Sequence, residues 1–164
     1  MADFSASTPA TFTPSITTPG AGNYTFMAGP STAVVNGNTG KVKYVTWGGA
    51  GTTSTGYRTR WARSSTDPTG NATTLGVSKS NAMSVNLCSA AVSFASTNPT
   101  LAADANNLFA ISWNVLGGGG ILVLPIGSEW MVIGSATAGT SFIQCINTAG
   151  TDANISTYGL QWSE

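Results

Sequence analysis

Turn-forming residues interrupt this chain so often that no apolar segment has room to become a long helix. From residue 24 onward, short apolar stretches alternate with clusters of Gly, Asn, Pro and Asp, as at residues 36–38, 67–71 and 117–120. This punctuation is typical of β-strands joined by turns. Residues 108–116 have the clearest strand pattern, a period of two that places four large side chains on one face: Phe109, Ile111, Trp113 and Val115.

The scarcity of charge excludes a helical fold. Only 7% of the residues are charged, whereas exposed helix faces normally carry Glu, Lys and Arg. We therefore predict an all-β protein, a two-sheet antiparallel sandwich of jelly-roll topology, as a single domain over residues 23–164. The predicted strands are residues 24–27, 33–35, 42–47, 57–63, 73–77, 83–87, 108–116, 121–124, 129–133, 142–146 and 158–162, and residues 101–107 are the one plausible helical turn.

Residues 1–22 are predicted to form an extended Thr/Pro-rich N-terminal arm. Prolines at about every fifth position prevent a helix and favour extended backbone. Apolar side chains punctuate the segment, so we expect an arm that is ordered against a surface, with a disordered tail as the alternative. The expected anchors are Phe4, Phe12 and Ile16.

The six basic residues all lie between Lys41 and Lys79, within a chain of zero formal net charge. In residues 57–63, a period of two places Arg58 and Arg60 on one face and Trp61 on the other, with Arg63 at the end. The strand could be an interface, a solvated face or a nucleic-acid contact. Six basic residues are too few for a groove that tracks phosphates, so we favour a protein interface and expect no nucleic acid. The predicted interface residues are Phe4, Phe12, Ile16, Arg58, Arg60, Trp61 and Arg63.

Catalytic and cofactor chemistry finds little support in the sequence. The chain has no histidine, which excludes His-dependent nucleophile systems and the usual His-based metal sites. The glycines at 117–120 lack the spacing of a nucleotide loop and are interpreted as a flexible strand connection. Cys88 and Cys145 are interpreted as buried thiols, with a disulfide as the alternative. We expect no catalytic residue, cofactor or metal; a paired-acid glycosidase site at Asp67 and Asp104, and a calcium site that adds Asn71 and Asn106, are the alternatives.

The tryptophans divide into two groups. Trp113 and Trp130 lie within apolar runs and are predicted to be core residues. Trp47 and Trp61 border loops rich in Gly and Thr, where core or subunit packing is favoured over presentation to a glycan. In the glycan alternative, Tyr57 would join these two rings.

Three segments carry a resemblance to a known class of proteins. Residues 40–49 (GKVKYVTWGG), 57–63 (YRTRWAR) and 108–114 (LFAISWN) resemble small structural proteins of tailed-phage virions. The resemblance implies a jelly-roll oligomer that decorates or cements a capsid, or builds a tail or fibre tip, and it implies no catalytic residues. The N-terminus lacks the pattern of a secretory signal, and the longest apolar run, 121–126, is too short to span a bilayer.

Near-neutral surfaces associate readily, which agrees with an assembly subunit. The sequence therefore predicts a non-enzymatic virion protein, made in the bacterial host cytoplasm, that binds the major capsid protein as an oligomer, with a homotrimer expected. The alternative is a tail, fibre-tip or other glycan-binding module. No membrane partner is expected.

Overall fold

The computed structural model describes residues 3–8, 25–30, 39–49, 51–64, 72–74, 76–80, 90–95, 106–133, 142–149 and 156–163. Within these residues the chain forms strands and no α-helix, and Asn106, in the predicted helical turn, has a 3-10 conformation. The strands are β1 (Asp3–Ser7), β2 (Thr25–Pro30), β3 (Thr39–Gly49), β4 (Gly56–Ser64), β5 (Ala72–Thr74), β6 (Ser78–Lys79), β7 (Ala90–Ala95), β8 (Asn107–Asn114), β9 (Gly119–Val123), β10 (Trp130–Ile133), β11 (Phe142–Ala149) and β12 (Ser156–Ser163).

The strands form two antiparallel sheets. Sheet A has the order β10-β3-β12-β1-β6, with β9 also paired to β3, and sheet B has the order β5-β7-β2-β11-β4-β8. In sheet A the first strand pairs with the last, giving β1-β12-β3-β9, and sheet B contains β2-β11-β4-β8. These two four-stranded orders are those of a jelly roll, and β5, β6 and β7 extend them at the β1 and β2 sides. The predicted two-sheet antiparallel sandwich is confirmed.

Most predicted strands within the described residues are present with shifted ends. Residues 33–35 and 83–87 lie outside the described residues, as does most of the predicted helical turn. Three strands were missed. β1 lies at the start of a Thr/Pro-rich segment, β6 is only two residues long, and β7 is rich in alanine, which has a low intrinsic preference for strands.

The start of the predicted arm is part of sheet A. Phe4 and Ala6 point inward and are buried, while Asp3 and Ser5 are half-buried and Ser7 is exposed. The Phe4 ring stacks on Trp162 of the paired strand β12, with ring centroids 5.9 Å apart. Asp3 adds an ion pair to Lys43 at 2.6 Å. Residues 3–8 are therefore built into the sandwich, and residues 9–22 lie outside the described residues.

Aromatic side chains fill the space between the sheets and lock them together. Trp61 of β4 packs on Trp130 of β10, with ring centroids 6.2 Å apart. A buried hydrogen-bonded group also crosses the sandwich: the Trp113 indole N–H donates to Thr59 Oγ1 at 2.9 Å, and that oxygen lies 3.3 Å from the Tyr158 hydroxyl. Trp113 and Trp130 are buried, which confirms that both are core residues.

Cys145 is a buried free thiol on β11. The interpretation of this residue as a small buried side chain is confirmed, and the alternative of a disulfide is wrong. Burial raises the pKa of the Cys145 thiol well above its usual range, because the thiolate would lose its hydration. Cys88 lies outside the described residues.

Candidate assembly interface

The sheet edges differ in how they are protected from pairing with another chain. Strands at an edge expose unpaired backbone groups, and most proteins shorten such strands or place polar side chains on them. β5 and β6 are three and two residues long. β8 is longer, but its outward side chains are small or polar: Ala110, Ser112 and Asn114. These three edges therefore have ordinary protection.

The edge formed by β9 is apolar. Among the residues whose side-chain exposure the structure describes, the exposed large hydrophobic side chains all fall in residues 116–126: Leu116 is 52% exposed, Ile121 56%, Val123 63% and Ile126 98%. This segment contains no charged residue. A concentration of exposed apolar side chains in one uncharged segment marks an interaction surface rather than the scattered hydrophobics of an ordinary surface. We call residues 116–126 the apolar edge.

The direction of each side chain on β9 follows from its register with β3. Ile121 pairs with Thr46 and Val123 with Tyr44, so both lie on the outer face of sheet A. Leu122 pairs with Val45, a core residue, and packs against the core. Along β9, alternate side chains therefore differ in surroundings: Leu122 packs into the core, whereas Ile121 and Val123 are exposed to solvent.

The backbone of β9 also presents hydrogen-bonding groups to solvent. Gly49 N–H donates to Gly118 C=O at 2.9 Å, and Leu124 N–H donates to Lys43 C=O at 2.7 Å. Bonded pairs alternate along an antiparallel ladder, so residues 118, 120, 122 and 124 direct their N–H and C=O groups toward β3. Gly119, Ile121 and Val123 direct theirs away from the sheet, where no described strand pairs with them.

A short loop projects from the same edge between β9 and β10. Leu124 N–H donates to Lys43 C=O, and Trp130 pairs with Val42, the next residue of β3. Residues 125–129 therefore have no partner positions on β3 and form a loop that projects from the edge. Ser128 N–H donates to Pro125 C=O at 2.9 Å, and Gly127 has a φ of 90°, which describes a β-turn with glycine at its third position. Ile126 occupies the second position and is almost fully exposed.

Glu129 closes this loop. Its carboxylate accepts a hydrogen bond from Gly127 N–H at 2.7 Å. Backbone hydrogen bonds, first at Glu129 itself and then from Gly127, lower the pKa of the Glu129 carboxyl, and the positive charges of Lys41 and Lys43 act in the same direction. The loop is therefore fastened at its base while its apolar tip faces solvent.

The glycines at the start of β9 and in the turn before it are required by close packing or by backbone conformation. A Cβ at Gly120 would lie 2.6 Å from the indole of Trp47, its cross-strand neighbour, and a Cβ at Gly118 would lie 1.9 Å from Asn114 C=O. Gly117 has a φ of 71°, in the left-handed region that favours glycine. Gly117 and Gly118 connect β8 to β9, as predicted, whereas Gly119 and Gly120 belong to β9 itself. The close approaches at Gly118 and Gly120 and the φ of Gly117 explain why these positions are glycine.

A shallow groove of about 300 Å³ lies next to the apolar edge, on the outer face of sheet A. Its floor is Gly159, where a Cβ would meet Thr46 Oγ1 at 2.7 Å. The half-buried ring of Tyr44 and several small hydroxyl side chains line it: Ser5, Ser7, Thr46 and Ser78. The groove thus combines one aromatic ring with hydroxyl groups.

The basic strand is less accessible than the sequence predicts. The alternation along β4 is confirmed, because Tyr57, Thr59 and Trp61 point into the core. Arg58 is exposed and Arg63 half-buried, but Arg60 is buried and its Nη1 donates to Asn107 Oδ1 at 2.9 Å. Buried neighbours on the same outer face, Ala62, Gln144 and Ile146, show that sheet B is covered on both sides there.

The described members of the predicted interface do not share one exposed surface. Phe4 and Trp61 are core residues of their own chain, because each lies on the inward face of a strand. Phe12 and Ile16 lie outside the described residues. Arg58 is the exposed member of the predicted set on β4. The apolar edge, in contrast, was not predicted as a site.

Two alternatives from the sequence can also be compared with the structure. Trp47, Trp61 and Tyr57 are buried, so the platform of these three rings for a glycan is wrong. Asp67 and Asp104 lie outside the described residues. The described residues contain no group of three or more Cys, Asp or Glu side chains arranged to hold a metal. No helix in the described part of the chain is long and apolar enough to cross a membrane.

One feature of the sequence could have indicated the apolar edge. Residues 121–126 form the longest apolar run of the chain, and they directly follow a glycine tract. Such a run fits a strand that is buried on both faces, and only the strand order shows that β9 lies at an edge. Comparisons of this chain with protein-family models, with curated proteins and with solved structures find no match.

Proposed function

We propose that this protein is a non-enzymatic structural subunit of a tailed-phage virion, a capsid decoration or cement protein that binds the major capsid lattice as an oligomer. The observation that carries the proposal is the apolar edge: four large side chains and three outward-directed backbone positions in one uncharged segment. A surface of this kind is suited to permanent burial against protein, because it has both apolar area and hydrogen-bonding groups to satisfy.

The jelly roll and the charge content support the same proposal. The fold provides a rigid sandwich with aromatic packing, and an interface built on strands is held more precisely than one built on loops. The formal net charge is zero, so little electrostatic repulsion opposes the close packing of many copies on one particle. The sequence resemblance to virion proteins supplies the kind of particle.

The test is whether the chain is found on particles. Density-gradient-purified particles from a culture that carries the coding sequence would be analysed by mass spectrometry and by immunogold labelling with an antibody against the purified chain. We expect the chain in the particle band and the label on capsids. Label confined to tails or fibres would replace the decoration role by the tail or fibre-tip role, and a chain that stays in the soluble fraction would overturn both.

The groove beside Tyr44 favours a second candidate, a glycan-binding module of a tail or fibre tip. Aromatic rings stack on the apolar faces of sugars, and hydroxyl groups can donate to and accept from sugar hydroxyls. A glycan array would compare the wild type with Tyr44→Ala, and with Thr53→Ala as a control at an exposed position that does not line the groove. Binding that Tyr44→Ala abolishes and Thr53→Ala keeps would support this candidate, and silence of the wild type would reject it.

A further inference from the structure

We propose that the apolar edge is a homotypic contact, in which β9 pairs antiparallel with β9 of a second copy about a two-fold axis at Ile121. The inference rests on the oligomeric part of the proposed function and names its contact. It follows from three properties of the edge: the direction of its backbone groups, the sizes of its side chains and its lack of charge.

The backbone groups select the register. Gly119, Ile121 and Val123 direct their N–H and C=O groups away from β3. With the axis at Ile121, each of these residues faces an outward-directed residue of the second copy, and all of the outward groups of the strand are bonded. A shift of the axis to Gly120 or Leu122 leaves one of the three residues of each copy without a partner.

The side chains fit the same register. Val123 lies opposite Gly119 of the second copy, and Leu122 lies opposite Gly120, so each large residue faces a glycine. The two Ile121 side chains meet at the axis. In this register, the loop after β9 that carries Ile126 lies beside the turn before β9 that carries Leu116 in the second copy. The four exposed apolar side chains are thus brought into one contact.

The charges also favour a second copy as the occupant. Residues 116–128 contain no charged side chain, and neither does the neighbouring edge strand β8. An uncharged segment gives no complementarity to a basic or acidic partner, but it meets its own copy without repulsion. Because the axis is perpendicular to the sheet, the pair would place both Tyr44 grooves on one face.

Cross-linking tests the register directly. Ile121→Cys places two thiols opposite each other at the axis, where paired Cα atoms are about 5.5 Å apart. Val123→Cys is the matched control, because its two thiols would lie four residues apart along the strand, about 14 Å at the strand rise. Both variants are made with Cys88→Ser, since Cys145 is buried. With a bis-maleimide whose spacer is shorter than that separation, we expect a covalent dimer for Ile121→Cys and none for Val123→Cys. Equal cross-linking of both variants, or of neither, would overturn the register.

Light scattering after size-exclusion chromatography tests the contact. We expect the wild type at twice the 16.6 kDa of the chain. Ile121→Glu places two carboxylates at the axis and should halve the mass, whereas Ser112→Glu, which adds the same charge on the exposed face of β8, should not. Near-native circular dichroism of both variants excludes misfolding. A trimeric mass that Ile121→Glu leaves unchanged would reject the two-fold contact.

The two proposals fail in different measurements. A dimer that depends on Ile121 in a chain absent from particles would overturn the virion function and keep the homotypic contact. If the chain is found on capsids but its mass in solution is unchanged by Ile121→Glu, the homotypic contact is overturned and the virion function is kept.

Discussion

Replacement of Thr59 by valine tests the hydrogen-bonded group that joins the two sheets. Thr59→Val nearly preserves side-chain volume but removes the acceptor of the Trp113 indole N–H, a bond of 2.9 Å in the buried core. It also removes the oxygen that lies 3.3 Å from the Tyr158 hydroxyl. The variant therefore leaves a buried donor without its acceptor while apolar packing is almost unchanged.

The magnitude follows from which group is lost. A buried polar group without a partner costs about 1–3 kcal/mol, so we expect Thr59→Val to lower the free energy of unfolding by about 2 kcal/mol. Thr59→Ser keeps the hydroxyl and loses one buried methyl group, which costs about 1 kcal/mol. In a chain of this size each kcal/mol lowers Tm by about 2–4 °C, which gives about 4–8 °C for the valine variant.

Urea unfolding followed by tryptophan fluorescence measures the free energy of unfolding of the two variants, and calorimetry measures their Tm. A double-mutant cycle with Trp113→Phe isolates the bond, because Thr59→Val should cost less once the indole donor is gone. We expect a coupling free energy of at least about 0.5 kcal/mol. If Thr59→Val is as stable as Thr59→Ser, or costs the same in both backgrounds, the bond does not hold the sheets together as the geometry indicates.

Two further predictions concern the packing beneath the apolar edge and the buried thiol. Gly120→Ala should lower stability by about 1–3 kcal/mol in chemical unfolding, because overpacking strains a core and its Cβ would lie 2.6 Å from Trp47. Gly56→Ala, which meets nothing within 4 Å, is the control and should be neutral or stabilising; an equal loss for both would contradict the steric explanation. Burial raises the pKa of the Cys145 thiol, so in a Cys88→Ser variant a thiol reagent at neutral pH should react only after unfolding. The unfolded thiol ionises near its usual pKa of about 8.5, so the contribution of Cys145 to stability is complete below that pH and is lost as pH rises toward the folded pKa. Rapid reaction of the folded chain with the thiol reagent would contradict the burial of Cys145.

Side-chain direction within a strand could be predicted because it depends only on local spacing. The alternation in residues 108–116 correctly identifies Trp113 and Val115 as buried, and the alternation in residues 57–63 correctly places Trp61 on the opposite face from Arg58 and Arg60. The jelly roll was also predictable, since many short strands with turns between them and almost no helix-forming surface leave few other architectures.

What surrounds a strand could not be predicted, because it depends on distant parts of the chain. Arg60 lies on the outward face of β4 as its spacing requires, yet that face is covered, so the side chain is buried. Phe4 sits among residues whose composition indicates an extended arm, yet β12 pairs with that segment and Trp162 stacks on its ring. The local sequence pattern predicts which way a side chain points from its strand, whereas the strand order determines whether that side chain is exposed.

The low charge of the chain and its apolar edge are connected through the protection of sheet edges. A protein with few lysines and glutamates has few of the side chains that normally prevent strands from pairing with other molecules. Here β5 and β6 are protected by their shortness and β8 by polar side chains, while Pro125 and its loop interrupt the long edge. Residues 119–123 remain as a flat, apolar segment. A head-to-tail partner on that segment would leave another edge open and could extend without limit, whereas two-fold pairing of the segment with itself closes the contact after two copies. A closed pair therefore lets this chain keep an uncharged edge without forming fibres.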